Sequence, residues 1–456
     1  MSSETFPKVA FIGLGAMGFA MSTHLVRTGF PVTGFDIYGP TLERWQSTCN
    51  DIPASRASTA QSPAEAVKDA TVVCLMVANH HHVHSALFDD KVGAVHALPK
   101  DSTVIIHATI PPTQPANVRE RLTKEFNRPD VKLIDAPVSG GVARSINGTL
   151  TIMTASDDPA NLQQPDAKTV LENVASKGKT LYAIPGSLGG GESAKALNQV
   201  MCGIHIAATG EIFGLAAVLG LDTQKLYDTL IEKDSAGKPV LGWSWMFENR
   251  GPRVLSATPP MASATAIIDK DVGIIRDEEV RLNVELPLLN RASEVIKEVM
   301  KTHASADDSC IAQYYLGFGS KREGLAVERA KNPSVAAEEH DARLQDVAVA
   351  HAVIHLTSAF ETTIFAKSLD LVQEEQRKQW FSIISGAAGG STVFSEVIPL
   401  SFTDSEGNEA AFKKYAKEKF GNSLSRTAQV IEEAKAQGYH PVLLEAATKN
   451  LEKLLN

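Results

Sequence analysis

The stretch Lys8–Asp36 limits the fold more than any other part of the chain. Lys8-Val-Ala-Phe-Ile12 is a short apolar run, followed at once by Gly13-Leu14-Gly15-Ala16-Met17-Gly18 and a helical pattern from Phe19 to Thr28. Gly29 stops that helix, Pro31-Val-Thr-Gly-Phe35 reads as a second strand, and Asp36 ends it. A G-x-G-x-x-G is weak by itself. Strand, glycine turn, helix, strand and terminal acid in this order predict a dinucleotide-binding βαβ unit. Gly13 permits the tight turn, Gly15 lets the backbone approach a pyrophosphate, and Gly18 lets helix and strand pack closely. The pyrophosphate would rest on the helix N-terminus, where unpaired N–H groups and the dipole favour an anion. Asp36 can accept from the adenosine ribose hydroxyls and would repel a 2′-phosphate, which points to NAD rather than NADP.

Further strands are expected at 71–76, 103–107, 132–134, 150–154 and 179–183, the earlier ones followed by helical connections. Alternating strands and helices predict a Rossmann-type, mainly parallel, doubly wound α/β sheet. Ligands then bind at the carboxyl ends of the strands, so Met76–Asn79 and His107–Ile110 should face the nicotinamide half. The 456 residues allow two to four domains, and the formal charge of −9 argues against nucleic acid. No apolar run is expected to reach the ~20 residues that span a bilayer, and the N-terminus lacks the basic start of a secretory signal. Four scattered cysteines, with no CxxC, fit a reduced cytoplasmic setting. His80-His-His82-Val-His84 invites a metal, but no carboxylate or thiol joins it nearby, so a loop or helix start is expected and no metal site.

Gly186–Gly220 reads as one long apolar helix behind the glycine cluster Gly189-Gly190-Gly191. Its roughly 28 residues would span about 40 Å, enough to join two domains. Lys195 lies in its first turns, and Asn198 and Gln199 follow at i+3 and i+4 on a shared face. A charge in so apolar an element needs a partner, a substrate or water. Upstream, Leu133-Ile-Asp135-Ala-Pro137-Val-Ser139-Gly140-Gly141 ends in a hydroxyl and two glycines. Such a loop can offer consecutive N–H groups and the Ser139 hydroxyl to a carboxylate, or be a plain turn.

The Gly13–Gly18 motif, Asp135–Gly141, Gly189–Gln199 and Lys270-Asp271 stand in the order of the β-hydroxyacid dehydrogenases. The chain resembles that family over about residues 8–320, with its 3-hydroxyisobutyrate, tartronate semialdehyde and L-threonate enzymes, and is similar to the related 6-phosphogluconate dehydrogenases. Asn198-Gln199 departs from the Asn-Asn of most relatives. The resemblance implies Lys195 as catalytic acid/base and Ser139, Gly140 and Gly141 as the substrate-carboxylate loop. It implies Asn198 and Gln199 as positioning groups for substrate or lysine. It also places Thr109 and Lys270 beside the cofactor. An ordinary lysine, with pKa ~10.4, is a poor base near neutrality. Burial, the nicotinamide ring and the helix dipole should lower it. Imine-reducing relatives replace this lysine, so its presence points to hydroxyacid chemistry.

Short family members would end near residue 320, whereas this chain continues through a polar connector, Ser320–Gln345. Ile204–Glu211 aligns with Ile354–Glu361 at an offset of 354 − 204 = 150, and Pro287-Leu-Leu resembles Pro441-Val-Leu. Lys195 maps to Gln345 and Lys270-Asp271 to Leu424-Ser425, so the copy keeps apolar positions and loses the chemistry. Three domains are expected: 1–185 for NAD, 186–322 helical with the lysine, and 323–456 a degenerate helical repeat. That repeat would stand in for a subunit contact, as in long-chain 6-phosphogluconate dehydrogenases, and a homodimer is one expected assembly. The expected activity is NAD-dependent oxidation of a small anionic hydroxyacid, with no membrane partner. Two alternatives stay open: an NADPH-dependent reductase of a small aldehyde acid, and a catalytically silent nucleotide-binding assembly protein.

Overall fold

The computed structural model describes residues 6–402, 408–421 and 423–455; the N-terminal Met1–Thr5 of the signal reading lie outside them. The Cα packing forms two compact units, residues 1–196 and 197–456. In the first unit, strands β1 (Val9–Ile12), β2 (Val32–Phe35), β3 (Ala57–Thr59), β4 (Val72–Leu75), β5 (Thr103–Ile106) and β6 (Lys132–Asp135) form one sheet. Its order is β3-β2-β1-β4-β5-β6, and every pairing is parallel. This is the doubly wound order, with the switch point between β1 and β4.

The strands are apolar on both faces because helices cover both. Ala10, Ile12, Val73, Leu75, Val104 and Ile106 point into one core. Their alternating neighbours Val9, Phe11, Val72, Cys74 and Ile105 point into the other. A second sheet, not expected as separate, holds β7 (Val138–Ser139), β8 (Thr151–Thr154) and β9 (Leu181–Ala183), with β7 antiparallel to β8. The short β3 and β7 had no sequence signal, being three and two residues long. The histidine run opens the helix His80–Phe88, where the Asn79 side chain accepts from the His82 N–H, and His84 bonds Gln114. Among the described residues no group of three His, Cys, Asp or Glu is arranged for a metal, and the four free cysteines are buried.

The long helix spans Gly190–Val218 and a second spans Ala337–Ser368. Here the structure corrects two expectations. Both helices are long and apolar enough to cross a bilayer, yet their most apolar windows are 100% and 83% buried inside the protein. The expected connector is also shorter, because the second long helix starts at Ala337 and a turn of helix, Leu325–Arg329, precedes it.

Gly190–Val218, which enters the second unit at Leu197, is followed by helices Thr223–Ile231, Trp245–Val254, Thr265–Leu282 and Pro287–His303. Ala337–Ser368 is followed by Glu374–Ser385, Thr392–Val397, Leu424–Ala436 and Val442–Leu455, with Asn408–Phe420 interposed. Hydrogen bonds between the two sets are reciprocal. Glu211 accepts from the N–H groups of Leu443 and Leu444, and Glu361 accepts from those of Leu288 and Leu289. Trp245 N–H donates to the Gly390 carbonyl at 2.9 Å, and Thr392 N–H donates to the Trp243 carbonyl at 3.1 Å. Each carboxylate satisfies donors that a helix start leaves without intrahelical partners.

Candidate functional site

The glycine turn is built as its sequence requires. Gly13 has φ +93°, and a Cβ there would lie 2.5 Å from the Met76 carbonyl oxygen. A Cβ at Gly18 would lie 2.0 Å from the Gly13 carbonyl oxygen, so the helix could not approach the turn. Around Gly15, the residue before the helix Ala16–Arg27, a Cβ would meet nothing within 4 Å. Space at the middle glycine with contact at the other two is the shape a pyrophosphate needs. Asp36 directly follows β2; its Oδ2 accepts from the Leu14 N–H at 2.7 Å and its Oδ1 from the Tyr38 N–H at 2.9 Å. The next residues, Ile37 and Tyr38, are exposed. The Met17 sulfur accepts from Ser145 Oγ at 3.5 Å, which links the first helix to Gly141–Ile146. These features fit a dinucleotide.

Two segments of the first unit converge on the N-terminus of the helix that carries Lys195. Asp135, at the end of β6, accepts from the Glu192 N–H through Oδ2 at 3.1 Å. Glu192 Oε2 in turn accepts from the Ile110 N–H at 3.3 Å, in the loop after β5 that carries Thr109. A Cβ at Gly189 would lie 2.1 Å from the Pro112 carbonyl oxygen, so this loop rests directly on the glycine cluster. A carboxylate in the first turn also suits the helix dipole. Sequence reasoning passed over Glu192, whose signal was an acid in the first turn of an apolar helix.

Burial shapes the titration of this region. Asp135 is pushed up to about 7 by burial, while the N–H groups of Glu192, Gly189 and Gly191 pull the other way. His107, at the end of β5, is pushed down to about 4 by burial, with Nδ1 donating to the Ala136 carbonyl at 2.9 Å. It is a neutral, structural imidazole. Lys195 is 6% exposed, so its side chain lies inside the protein rather than on the surface. Ser139 is buried in β7, and Gly140 and Gly141 follow with φ +134° and +67° ahead of the short helix. Thr109 and Met76 are half-buried.

In the second unit the amides form a chain. Asn198 is fully enclosed; its Oδ1 accepts from the Gly389 N–H at 3.0 Å and its Nδ2 donates to Gln199 Oε1 at 2.9 Å. Nδ2 also lies 3.3 Å from the Cys202 sulfur. Gln199 Nε2 donates to Asp271 Oδ2, and Lys270 Nζ pairs with Asp271 Oδ1 at 2.9 Å. Asn198, Gln199 and Lys270 are therefore brought into one network. Gly389, 191 residues from Asn198, carried no sequence signal.

A parallel sheet in doubly wound order, with a fitted dinucleotide turn and an enclosed lysine on the following helix, defines a nucleotide-dependent dehydrogenase. Comparison with known proteins narrows the class. A family model described as the NAD binding domain of 6-phosphogluconate dehydrogenase matches residues 8–186. A second, described as NAD-binding of NADP-dependent 3-hydroxyisobutyrate dehydrogenase, matches residues 189–315. L-threonate dehydrogenase of Cupriavidus necator is 34% identical over 311 residues, which is 68% of this chain and 96% of that protein. The crystal structure of 3-hydroxyisobutyrate dehydrogenase from Salmonella typhimurium has a TM-score of 0.57 at 28% identity, over 67% of this chain and 99% of that one. A 6-phosphogluconate dehydrogenase structure from Plasmodium falciparum has a TM-score of 0.66 at 14% identity and covers 99% of this chain and 93% of its own, a likeness of fold. The chain belongs to the β-hydroxyacid dehydrogenase family, and is an NAD(P)-binding hydroxyacid dehydrogenase.

Proposed function

We propose that the protein oxidises a small hydroxy carboxylic acid of the L-threonate or 3-hydroxyisobutyrate class with NAD, using Lys195 as acid/base. The observation that carries this reading is the enclosed Lys195, on a helix whose first turn is tied to the Thr109 loop by Glu192 and to β6 by Asp135. The Ser139 hydroxyl and the N–H groups of Gly140 and Gly141 hold the substrate carboxylate. Lys195 takes the hydroxyl proton in oxidation and returns it in reduction. A bound nicotinamide supplies the hydride acceptor. Asn198 and Gln199, three and four residues after Lys195 on the same helix, are the positioning amides of this reading. Lys195→Ala should lower kcat by about 10²–10⁴-fold and leave cofactor affinity nearly intact. A panel of C3–C6 hydroxyacids, with and without phosphate, is the assay; an active Lys195→Ala enzyme would refute the role.

Asp36 supports NAD. A carboxylate at this place after the second strand of a dinucleotide-binding unit favours ribose hydroxyls over a 2′-phosphate, and like charges near 4 Å cost roughly 1–4 kcal/mol. Asp36→Ser should therefore raise NADP affinity by about tenfold or more, read by fluorescence titration. If the wild type itself prefers NADPH, the alternative of an aldehyde-acid reductase gains.

We propose three domains, 1–185, 186–322 and 323–456, the third a degenerate copy of the second that replaces a subunit contact. The reciprocal bonds of Glu211 and Glu361 support this, as they reproduce the pattern of a two-fold interface inside one chain.

A further inference from the structure

The C-terminal half reaches the Asn198 side chain through the Gly389 N–H, and that contact dictates how the amide pair points. A backbone N–H can only donate, and a carboxylate can only accept. Between the Gly389 N–H and the Asp271 carboxylate stand two amides, Asn198 and Gln199, each with one accepting and one donating end. Only one arrangement satisfies the whole chain: Asn198 Oδ1 toward Gly389, its Nδ2 toward Gln199 Oε1, and Gln199 Nε2 toward Asp271. Flipping either amide sets donor against donor or acceptor against acceptor in an enclosed site, which is costly. The Gln199 side chain reaches Asp271 Oδ2, and the other Asp271 oxygen holds Lys270.

We infer that the turn Ala387–Gly390 is a positioning element for the proposed active site, with the Gly389 N–H setting the polarity of the Asn198–Gln199–Asp271–Lys270 relay. The turn is made for this approach. A Cβ on Gly389 would lie 2.9 Å from Asn198 Oδ1, 2.9 Å from Met201 Cβ and 3.0 Å from the Asn198 carbonyl oxygen. No side chain fits there without lifting the N–H from its acceptor. The family model for this helical region ends at residue 315, so the contact comes from a part of the chain outside it. In this protein the added half acts on the amide pair in cis, besides filling space against the helix.

The inference rests on the proposed hydroxyacid reading, and its test separates the two. Gly389→Ala should lower kcat/KM for the best acid of the panel by about tenfold or more, as misplacement of positioning groups does. The KM for NAD should stay within about twofold of wild type. Gly386→Ala, at the end of the helix Glu374–Ser385 and just before that turn, is the control. A Cβ there meets only ordinary contacts, at 3.5 Å from the Ser382 carbonyl oxygen and 3.9 Å from that of Ile383, so kinetics should be unchanged. The decisive step is a cycle with Asn198→Ala, because Gly389 acts through Asn198. Adding Gly389→Ala to Asn198→Ala should cost less than about threefold further. Additive losses, or a Gly389→Ala enzyme with wild-type kcat/KM, would overturn the inference. An active Lys195→Ala enzyme would instead overturn the functional reading and leave the cycle readable.

Discussion

Asp135 shows what burial does to a single carboxyl in this protein. Its environment raises it to about 7, above the ordinary Asp range, so the folded protein holds a proton there that the unfolded chain releases. A raised folded value contributes stability that is fully present below about pH 4 and is lost as pH rises through 7. Asp135→Asn keeps an oxygen for the Glu192 N–H and removes the titration. The dependence of unfolding free energy on pH, measured by urea between pH 4 and 8, should therefore flatten in the variant. An unchanged slope would show that Asp135 does not titrate in this window. The sequence displayed Asp135 inside the Asp135–Gly141 motif without this role, because its acceptor function depends on Glu192, 57 residues away.

At the scale of elements, each long helix is tied to a helix of the opposite set by a carboxylate as well as by apolar packing. Glu211 on one and Glu361 on the other each accept two N–H groups at the start of a helix from the opposite set. Burial pushes both carboxyls up to about 8, against the N–H donations that lower them. Truncating either strands two buried donors, a loss of about 1–3 kcal/mol per unsatisfied group. Glu211→Ala and Glu361→Ala should each destabilise by a similar amount in urea unfolding. A cost confined to one of them would contradict the proposed duplication. The repeat was legible because Ile204–Glu211 and Ile354–Glu361 share a register; the crossed bonding was not, since alignment says nothing about which copy a side chain reaches.

Across the helical unit as a whole, three histidines line the seam between the long helices. His205 and His355 rings lie 4.3 Å apart and His355 and His351 rings 4.1 Å, all fully buried, with Phe247 5.0 Å from His351. Burial lowers His205 and His351 to about 3, and His355 is held well below its usual value. With lowered folded values, the unfolded chain binds the protons, so stability is present above about pH 6.5 and is lost as pH falls toward 3. The protein should unfold cooperatively in this acid range by far-UV circular dichroism. His351→Phe, which removes one site beside Phe247, should move the midpoint to lower pH, and an unmoved midpoint would assign acid lability to other groups.

The sequence by itself determined what local rules govern. Strand, Gly13–Gly18 turn, helix and Asp36 follow from alternation, backbone freedom and helix starts, all set within about 30 residues. The same rules placed Lys195, Asn198 and Gln199 on one helix and gave the order of the motifs. Tertiary structure decided what lies at the ends of long loops of chain: that Glu192 and Asp135 tie the Lys195 helix to the cofactor-side strands, that the apolar long helices are core, and that Gly389 orients Asn198. Those choices depend on donors and acceptors meeting across 57 to 191 residues. A pattern of residue types carries the capacity for such bonds, whereas only the packed chain supplies the partner.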